Sequence, residues 1–260
     1  MIGLRGARKI GALANVGGAM YTGAVFFAVR VALDARVAKR WLPPGVSLAR
    51  PAVATVFAAH FPETSFGSVY DEAGIFFHVR RRLRDAVFCP WMVVTDDVAL
   101  IVGRELCGYP KKLARVTFAY DGRSGGVTHE GSEVHAEVER RGRVVLTLRG
   151  VVGARVSDAP PMLGQRALNV RGALGLTAQR LVTFTPRETI REVRSATAEI
   201  AIGSPSPGLE EGRDPLDALG LGTVVGAHLY RVDVAAGLPP RAVRRAGLGF
   251  ALRSLGARWL

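Results

Sequence analysis

Two adjacent lysines, Lys111 and Lys112, are the residues of this chain best suited to covalent chemistry. Of its 35 Lys+Arg residues only four are lysines, at positions 9, 39, 111 and 112, and 31 are arginines. Arg replaces Lys well as a surface charge, but it offers no amine nucleophile. The Arg excess reads as compositional bias; a Lys-Lys pair against it does not. The pair closes the segment Gly103-Arg-Glu-Leu-Cys-Gly-Tyr-Pro-Lys-Lys-Leu-Ala114. Gly108 suits the residue just past a helix, and Pro110 forbids continuation, so a rigid bend presents both lysines. An amine adds to a ketone only when neutral, which requires an apolar pocket or a cationic neighbour. Lys112 is the candidate neighbour of Lys111. The nearby helix end would favour the charged amine, so apolar surroundings must carry much of the effect. Phe76-Phe77 and Val87 to Val94 are the segments expected to supply them. Tyr109 either lines such a pocket or simply packs, and Arg104 and Glu105 are expected to brace the helix end.

Other chemistries find less support. Cys89 and Cys107 exclude a disulfide scaffold and sit in no metal-ligand spacing, so both read as buried, unpaired thiols. His60, His78, His129, His135 and His228 share no ligand spacing, which argues against a metal site.

The elements that must position the lysines are mostly strands. Met20 to Leu33, Ala52 to Phe61, Ile75 to Arg82 and Ala86 to Thr95 are rich in β-branched and aromatic residues. Asp34 can cap a short helix through Trp41, which Pro43-Pro44-Gly45 stops. Thr64 to Gly74 reads as a polar loop. Pro90 marks an edge strand or a bulge. Asp96-Asp97 start the helix that ends at Gly108. Leu113 to Tyr120, Val134 to Glu139 and Arg143 to Val152 form an antiparallel meander with turns at Asp121-Gly122 and Arg141-Gly142. Ala154 to Gly172 reads as loop, Leu181 to Phe184 and Val193 to Ile202 as strands, Gly203 to Gly220 as loop, and Thr223 to Ala235 as a strand. The expected fold is α+β: mainly antiparallel strands in a curved sheet or closed β-barrel, with a few short helices. No linker or repeat divides residues 1–260. A single domain is expected, with a basic amphipathic tail at about 240–260 whose Leu248, Leu252, Leu255 and Trp259 share a helical face.

Of the 260 residues 48% are hydrophobic and 22% charged, which excludes disorder and permits a sizeable core. The formal charge of +13 suits an anionic partner. The sequence contains no nucleic-acid-binding motif and no basic stripe with interleaved aromatics, so no nucleic acid is expected. No apolar run reaches membrane-spanning length. Contact of the tail with a membrane surface is possible, but docking on the body or a second subunit is favoured. Arg5, Arg8 and Lys9 precede an apolar stretch broken by Asn15, Gly17 and Gly18, so export is not expected and the cytoplasm is.

Gly103 to Ala114 resembles the signature of the acetoacetate decarboxylases and their relatives. Upstream, Tyr70-Asp71-Glu72-Ala73-Gly74 is similar to a family segment that carries an acidic residue. Downstream, Asp214-Pro215-Leu216-Asp217 and Val224 to Pro239 resemble the family's C-terminal loop and last strand, so the likeness runs from about Tyr21 to Pro240. The resemblance implies that Lys111 forms a Schiff base, that Lys112 is its neighbour, and that Glu72 helps with proton transfer and positioning. Activation of such a lysine by desolvation or a cationic neighbour is a general rule for which acetoacetate decarboxylase is itself the standard case. Two family features are missing. An active-site Arg is replaced by Thr22 or a neighbour, and a second Glu by the stretch Phe57-Ala58-Ala59.

The expected function is a Schiff-base lyase, a carbon–carbon lyase decarboxylating an acetoacetate-like β-keto acid through an iminium on Lys111. The iminium is the electron sink, so neither metal nor organic cofactor is required. The missing Arg and Glu keep a Schiff-base aldolase or dehydratase on another oxo acid open, and a non-catalytic small-molecule binding protein is the third reading. The expected partners are a small-molecule oxo acid and, by family resemblance, further copies of the chain in a homo-oligomer.

Overall fold

A strand that is apolar along its whole length can bury both faces only if a layer covers each side, and that is how the middle of this chain's sheet is built. The computed structural model describes residues 18–123, 128–172, 179–203, 214–237 and 240–253. In chain order these form β1 (Gly18–Leu33), a helical turn (Ala35–Ala38) running into a 3₁₀ turn (Lys39–Trp41), β2 (Ser47–Leu48), β3 (Val53–Phe61), β4 (Glu63–Thr64), β5 (Tyr70–Arg81) and β6 (Arg84–Val94). A helix (Asp97–Ile101) then widens into a π turn (Val102–Leu106), followed by β7 (Lys111–Leu113), β8 (Arg115–Tyr120), β9 (Glu133–Arg140) and β10 (Arg143–Arg155). The remainder comprises β11 (Ala167–Arg171), β12 (Arg180–Phe184), β13 (Arg187–Ala196), β14 (Glu199–Ile202), a 3₁₀ turn (Leu216–Ala218), β15 (Leu221–Gly237), β16 (Arg241–Arg245) and a helix (Leu248–Arg253).

The main strand order is β16-β12-β11-β6-β5-β3-β1-β15-β13-β10-β9-β8. Its two ends are different strands, so the sheet is curved and open, not a closed barrel. Pairing is antiparallel except where β6 meets β7 and β11. The long strands β1, β3, β5 and β6 form the middle. One of their faces packs Phe27, Val56, Phe77 and Trp91 against Phe118, Val138 and Leu148 of the β8–β10 meander. The other face packs Phe26, Phe57, Phe76 and Met92 against Val102 of the π turn, Tyr109 and the loop residues Met162 and Leu163. Any side chain in the middle of these strands is therefore enclosed, whichever way it points.

Local signals place several elements as the sequence predicts. The Asp34 carboxylate accepts from the Arg36 and Val37 amides, and Asp96 accepts from Ala99 N at 2.7 Å, capping the two early helices. Gly108 has φ of +71°, as the residue past a helix requires. Pro90 lies at a register break, where Ile75 pairs Trp91 but Phe77 pairs Phe88, so it sits in a bulge of an interior strand.

Three expectations are corrected. Tyr70 to Gly74 is not loop but the start of β5, where Glu72 pairs with Ala59 on one side and Val94 on the other. Within the supposed loop Ala154 to Gly172, β11 forms because β6 and β12 offer it partners. The basic start of the tail, Arg241 to Arg245, is a strand on β12 and not a helix. The helix after it buries Phe250, at 2% exposure, while Leu248 and Leu252 are half exposed. The tail thus docks on the body through Phe250 against Phe88, not through the Leu248–Leu252 face. Leu255 and Trp259 lie outside the described residues.

Candidate active site

Lys111 and Glu72 are 39 residues apart in sequence and meet at 2.6 Å, Lys111 Nζ donating to Glu72 Oε2. The geometry follows from strand periodicity. Glu72 shares a face of β5 with Tyr70, Gly74 and Phe76, the face opposite to Asp71, Ala73 and Ile75. Lys111 opens β7, which lies parallel to β6 with Lys111 opposite Met92. The lysine side chain therefore crosses β6 to reach the carboxylate on β5. Both residues are only 5% exposed.

The bend that carries Lys111 is fixed at several points. Tyr109 N bonds to Gly103 O and Gly108 N to Arg104 O, closing the wide turn. A side chain on Gly108 would stand 2.9 Å from the Val170 and Arg171 backbone, so the bend packs directly onto β11. Gly103 is needed for a different reason. A Cβ there would lie 2.5 Å from Lys111 Cδ and Cε, so the missing side chain is the space in which the lysine stem runs. The π turn at Val102–Leu106 places Gly103 there, a distortion often found at functional sites.

Aromatic rings surround the pair. Lys111 Nζ lies 5.4 Å from the Tyr70 ring centre and 6.0 Å from that of Tyr109. Tyr21 and Tyr70 both pack on Phe61, and Tyr109 packs against Phe76 and Phe184. Burial raises the pKa of the Glu72 carboxyl above the usual carboxylate range, and the Lys111 ammonium partly opposes that. Burial also pushes up the phenols of Tyr21, Tyr70 and Tyr109 and takes the Cys107 thiol up to about 12. At neutral pH these four side chains are uncharged. The cluster thus brings together one amine, one carboxylate and three neutral phenols in apolar surroundings, a set able to form an imine and move protons about it.

Lys112 goes elsewhere. Adjacent strand residues face opposite ways, so its side chain enters the layer between the central strands and the meander. Its Nζ lies 3.4 Å from Asp214 Oδ1. Asp214 also accepts from Trp91 Nε1 at 2.8 Å and Arg140 Nε at 2.6 Å. Burial lowers the Lys112 amine to about 8, with Arg140 and Arg141 adding to the effect and Asp214 opposing it. The structure therefore brings together Lys111, Glu72 and Tyr109 and places Lys112 behind the strand. Phe57 and Ala59 face the Glu72 layer as apolar neighbours, and Thr22 pairs with Glu63 at the edge strand β4.

Sequence reading passed over Tyr21, Tyr70 and Gly103 as members of this site. Tyr70 could have been found from the period-two pattern Tyr70-x-Glu72, once β5 was known to start there. No local signal marks Tyr21, which arrives from β1. The two thiols are buried, as expected, with Cys89 Sγ donating to the Trp91 carbonyl at 3.3 Å, and Arg104 Nη1 donates to the Lys111 carbonyl at 3.4 Å. Among the described residues no group of His, Cys, Asp and Glu could hold a metal ion. No helix among them is long and apolar enough to cross a membrane.

A family model described as acetoacetate decarboxylase matches residues 14–242. No curated protein matches the chain. Among solved structures, acetoacetate decarboxylase from Legionella pneumophila superposes with a TM-score of 0.71 at 15% identity, covering 88% of each chain. An acetoacetate decarboxylase-like enzyme from Sphingomonas wittichii RW1 gives 0.73 at 20% identity, over 88% of this chain and 94% of that one. The enduracididine biosynthesis enzyme MppR, in complex with pyruvate, gives 0.74 at 18% identity, over 86% and 90%. At such identities these structures share the fold.

Proposed function

The chain belongs to the acetoacetate decarboxylase family, and from that premise we propose that it is a Schiff-base-forming lyase acting on an oxo acid, in the first instance decarboxylating a β-keto acid. The observation that carries the reading is the buried Lys111–Glu72 pair at 2.6 Å. In an apolar site an ammonium and a carboxylate in contact can pass the proton between them, which leaves a neutral amine beside a neutral acid. The Lys111 amine adds to the ketone carbon. Glu72 gives a proton to the carbinolamine oxygen, water leaves, and an iminium forms. In a β-keto acid the electrons of the carboxylate C–C bond flow into the iminium, releasing CO₂ and leaving an enamine. Protonation at carbon, with Glu72 as the nearest acid, and hydrolysis of the new iminium return the free amine. Tyr109 forms a wall against the substrate. Lys112 is assigned as an anchor of β7 through Asp214, acting on Lys111 by position. In this reading the whole chain is one domain, works as a homo-oligomer and needs no cofactor.

One observation favours a second variant. Phe57, Ala58 and Ala59 put no carboxylate on β3 near Glu72, and Thr22 puts no cation on β1. A site with one carboxylate could run aldol or dehydration chemistry from the same iminium on a different oxo acid.

Borohydride reduction in the presence of acetoacetate or pyruvate tests both variants. The expected result is a substrate-derived mass on Lys111 in peptide mapping. CO₂ release separates decarboxylation from aldol chemistry. Saturable binding of these acids with no adduct and no turnover would leave a binding protein in place of an enzyme.

A further inference from the structure

Lys111 and Glu72 are buried, so an oxo acid reaches the amine only when part of the wall around them moves. The strands of that wall are held by continuous ladders, and the bend at Gly108 packs onto β11. Residues 156–166, between β10 and β11, are held differently. The segment bridges two strands that are not neighbours in the sheet. Val156 N donates to Val193 O of β13 at 3.0 Å, and Arg166 O accepts from Val87 N of β6 at 2.8 Å. Between these ends Val156, Ala159, Met162 and Leu163 pack into the layer that holds Phe76, Met92 and Tyr109. Met162 is 3% exposed, while Ser157, Asp158, Pro160 and Pro161 face solvent. The segment is thus a strap over the lysine layer, with an apolar underside.

Side chains fasten the middle of the strap. The Glu188 carboxylate on β13 accepts from three consecutive amides, Met162 N at 3.1 Å, Leu163 N at 2.9 Å and Gly164 N. Tyr230 on β15 adds a second tie, its hydroxyl donating to Pro160 O at 3.0 Å. Gly164 permits the close approach, because a Cβ there would lie 3.0 Å from Glu188 Oε2. A charged acceptor makes each of the three bonds stronger than its neutral counterpart. Because they share one carboxylate, they form and break together. A strap fastened in this way has a closed state that is well defined and an open state that costs the loss of one side chain's contacts.

We propose that residues 156–166 are the gate through which an oxo acid reaches Lys111, and that Glu188 is the positioning residue that latches it. The passage of substrate rests on Lys111 being the reacting amine; the latch does not.

Hydrogen exchange and thiol labelling of the full chain test the latch without substrate. Cys89 lies in the layer under the strap at 1% exposure, and its labelling by iodoacetamide, read by peptide mass mapping, reports opening. In Glu188→Gln one acceptor oxygen becomes an amide group that cannot accept. The amides of residues 162–164 should then exchange ~10-fold or more faster. Cys89 should label faster by a similar factor, while exchange in β8 to β10 stays as in the wild type. With acetoacetate or pyruvate below saturation, borohydride trapping at Lys111 should also be faster, as expected when opening limits entry. Amides that stay protected would remove the latch. Freed amides with unchanged labelling of Cys89, or with trapping no faster than in the wild type, would remove the gate. If Glu188→Gln does not fold, Tyr230→Phe, which deletes only the tie to Pro160, should speed the labelling of Cys89, and an unchanged rate would overturn the proposal. A wild type that traps no oxo acid would sink the Schiff-base reading, and exchange and labelling would then decide the latch by themselves.

Discussion

A lysine amine held by a buried carboxylate is poised differently from one on a solvated face: its proton already has a neighbouring acceptor, and both groups are shielded from water. Under the proposed mechanism, Lys111→Arg keeps charge and approximate length but cannot form an imine, so adduct and turnover should both vanish while the circular dichroism spectrum stays native. Retained turnover in this variant would remove the covalent mechanism. Glu72→Gln should slow both trapping and turnover, by ~10²–10⁴-fold, the usual contribution of a positioned proton-transfer group, because Glu72 acts before the iminium forms as well as after it. Unchanged rates of trapping and turnover would remove Glu72 from the proton transfers. Gly103→Ala tests the lysine's path. The added methyl would meet the Lys111 stem 2.5 Å away. Displacement of the amine by about 1 Å should slow trapping ~10²-fold, with both lysine and glutamate still present. An unchanged rate would mean that the stem can re-route without loss.

At the scale of elements, β7 is only three residues long, and its place depends on what its two lysines grip on either side. Asp214 ties β7 to β6 and β9 by receiving Lys112, Trp91 and Arg140 at once. Asp214→Asn would remove the carboxylate shared by two buried or half-buried cations, and a loss on the order of 3 kcal/mol is expected in urea unfolding. The same grip predicts a pH effect. The Lys112 amine is lowered to about 8 in the folded chain against an ordinary value of 10.5. Between those values the unfolded chain binds more protons, so this lysine makes stability rise with pH across that window. Unfolding midpoints at pH 7.5 and 9.5 should show the rise, and Lys112→Met should flatten it. An equal rise in the variant would assign the dependence to other groups.

For the whole molecule, one face of the central strands is closed by the meander and the other by the π turn and loops, and the tail seals one sheet edge. There β16 extends the sheet beyond β12, and Phe250 inserts beside Phe88. Phe250→Ala should cost ~3–5 kcal/mol, the usual figure for emptying a buried aromatic site. Trapping at Lys111 should survive in this variant, since Phe250 packs in the layer opposite to the lysine. Loss of the adduct at a temperature where the variant remains folded would show that the two layers are coupled.

How much of this was legible depends on the range of the interactions. The helix end at Gly108, the stop at Pro110 and the cap at Asp96 are set by bonds within a few residues, so the bend presenting Lys111 could be read from the sequence. The β-branched and aromatic content of β1, β3 and β6 likewise marked them as strands. Asp71 and Glu72 read as loop because they close a polar stretch that contains Gly and Ser. They tolerate β5 only because His60 and Arg123 hold Asp71 on one face while Lys111 holds Glu72 on the other. Arg241 to Arg245 becomes a strand because β12 leaves an open edge, which no property of those five residues reveals. The separation of Lys111 from Lys112 has the same origin. Strand or helix decides whether neighbours share a side, and β7 is a strand only because β6 lies beside it. The sequence by itself determined which residues could react and the turn that displays one of them. The tertiary structure decided which carboxylate meets the amine, because that contact spans 39 residues and three strands.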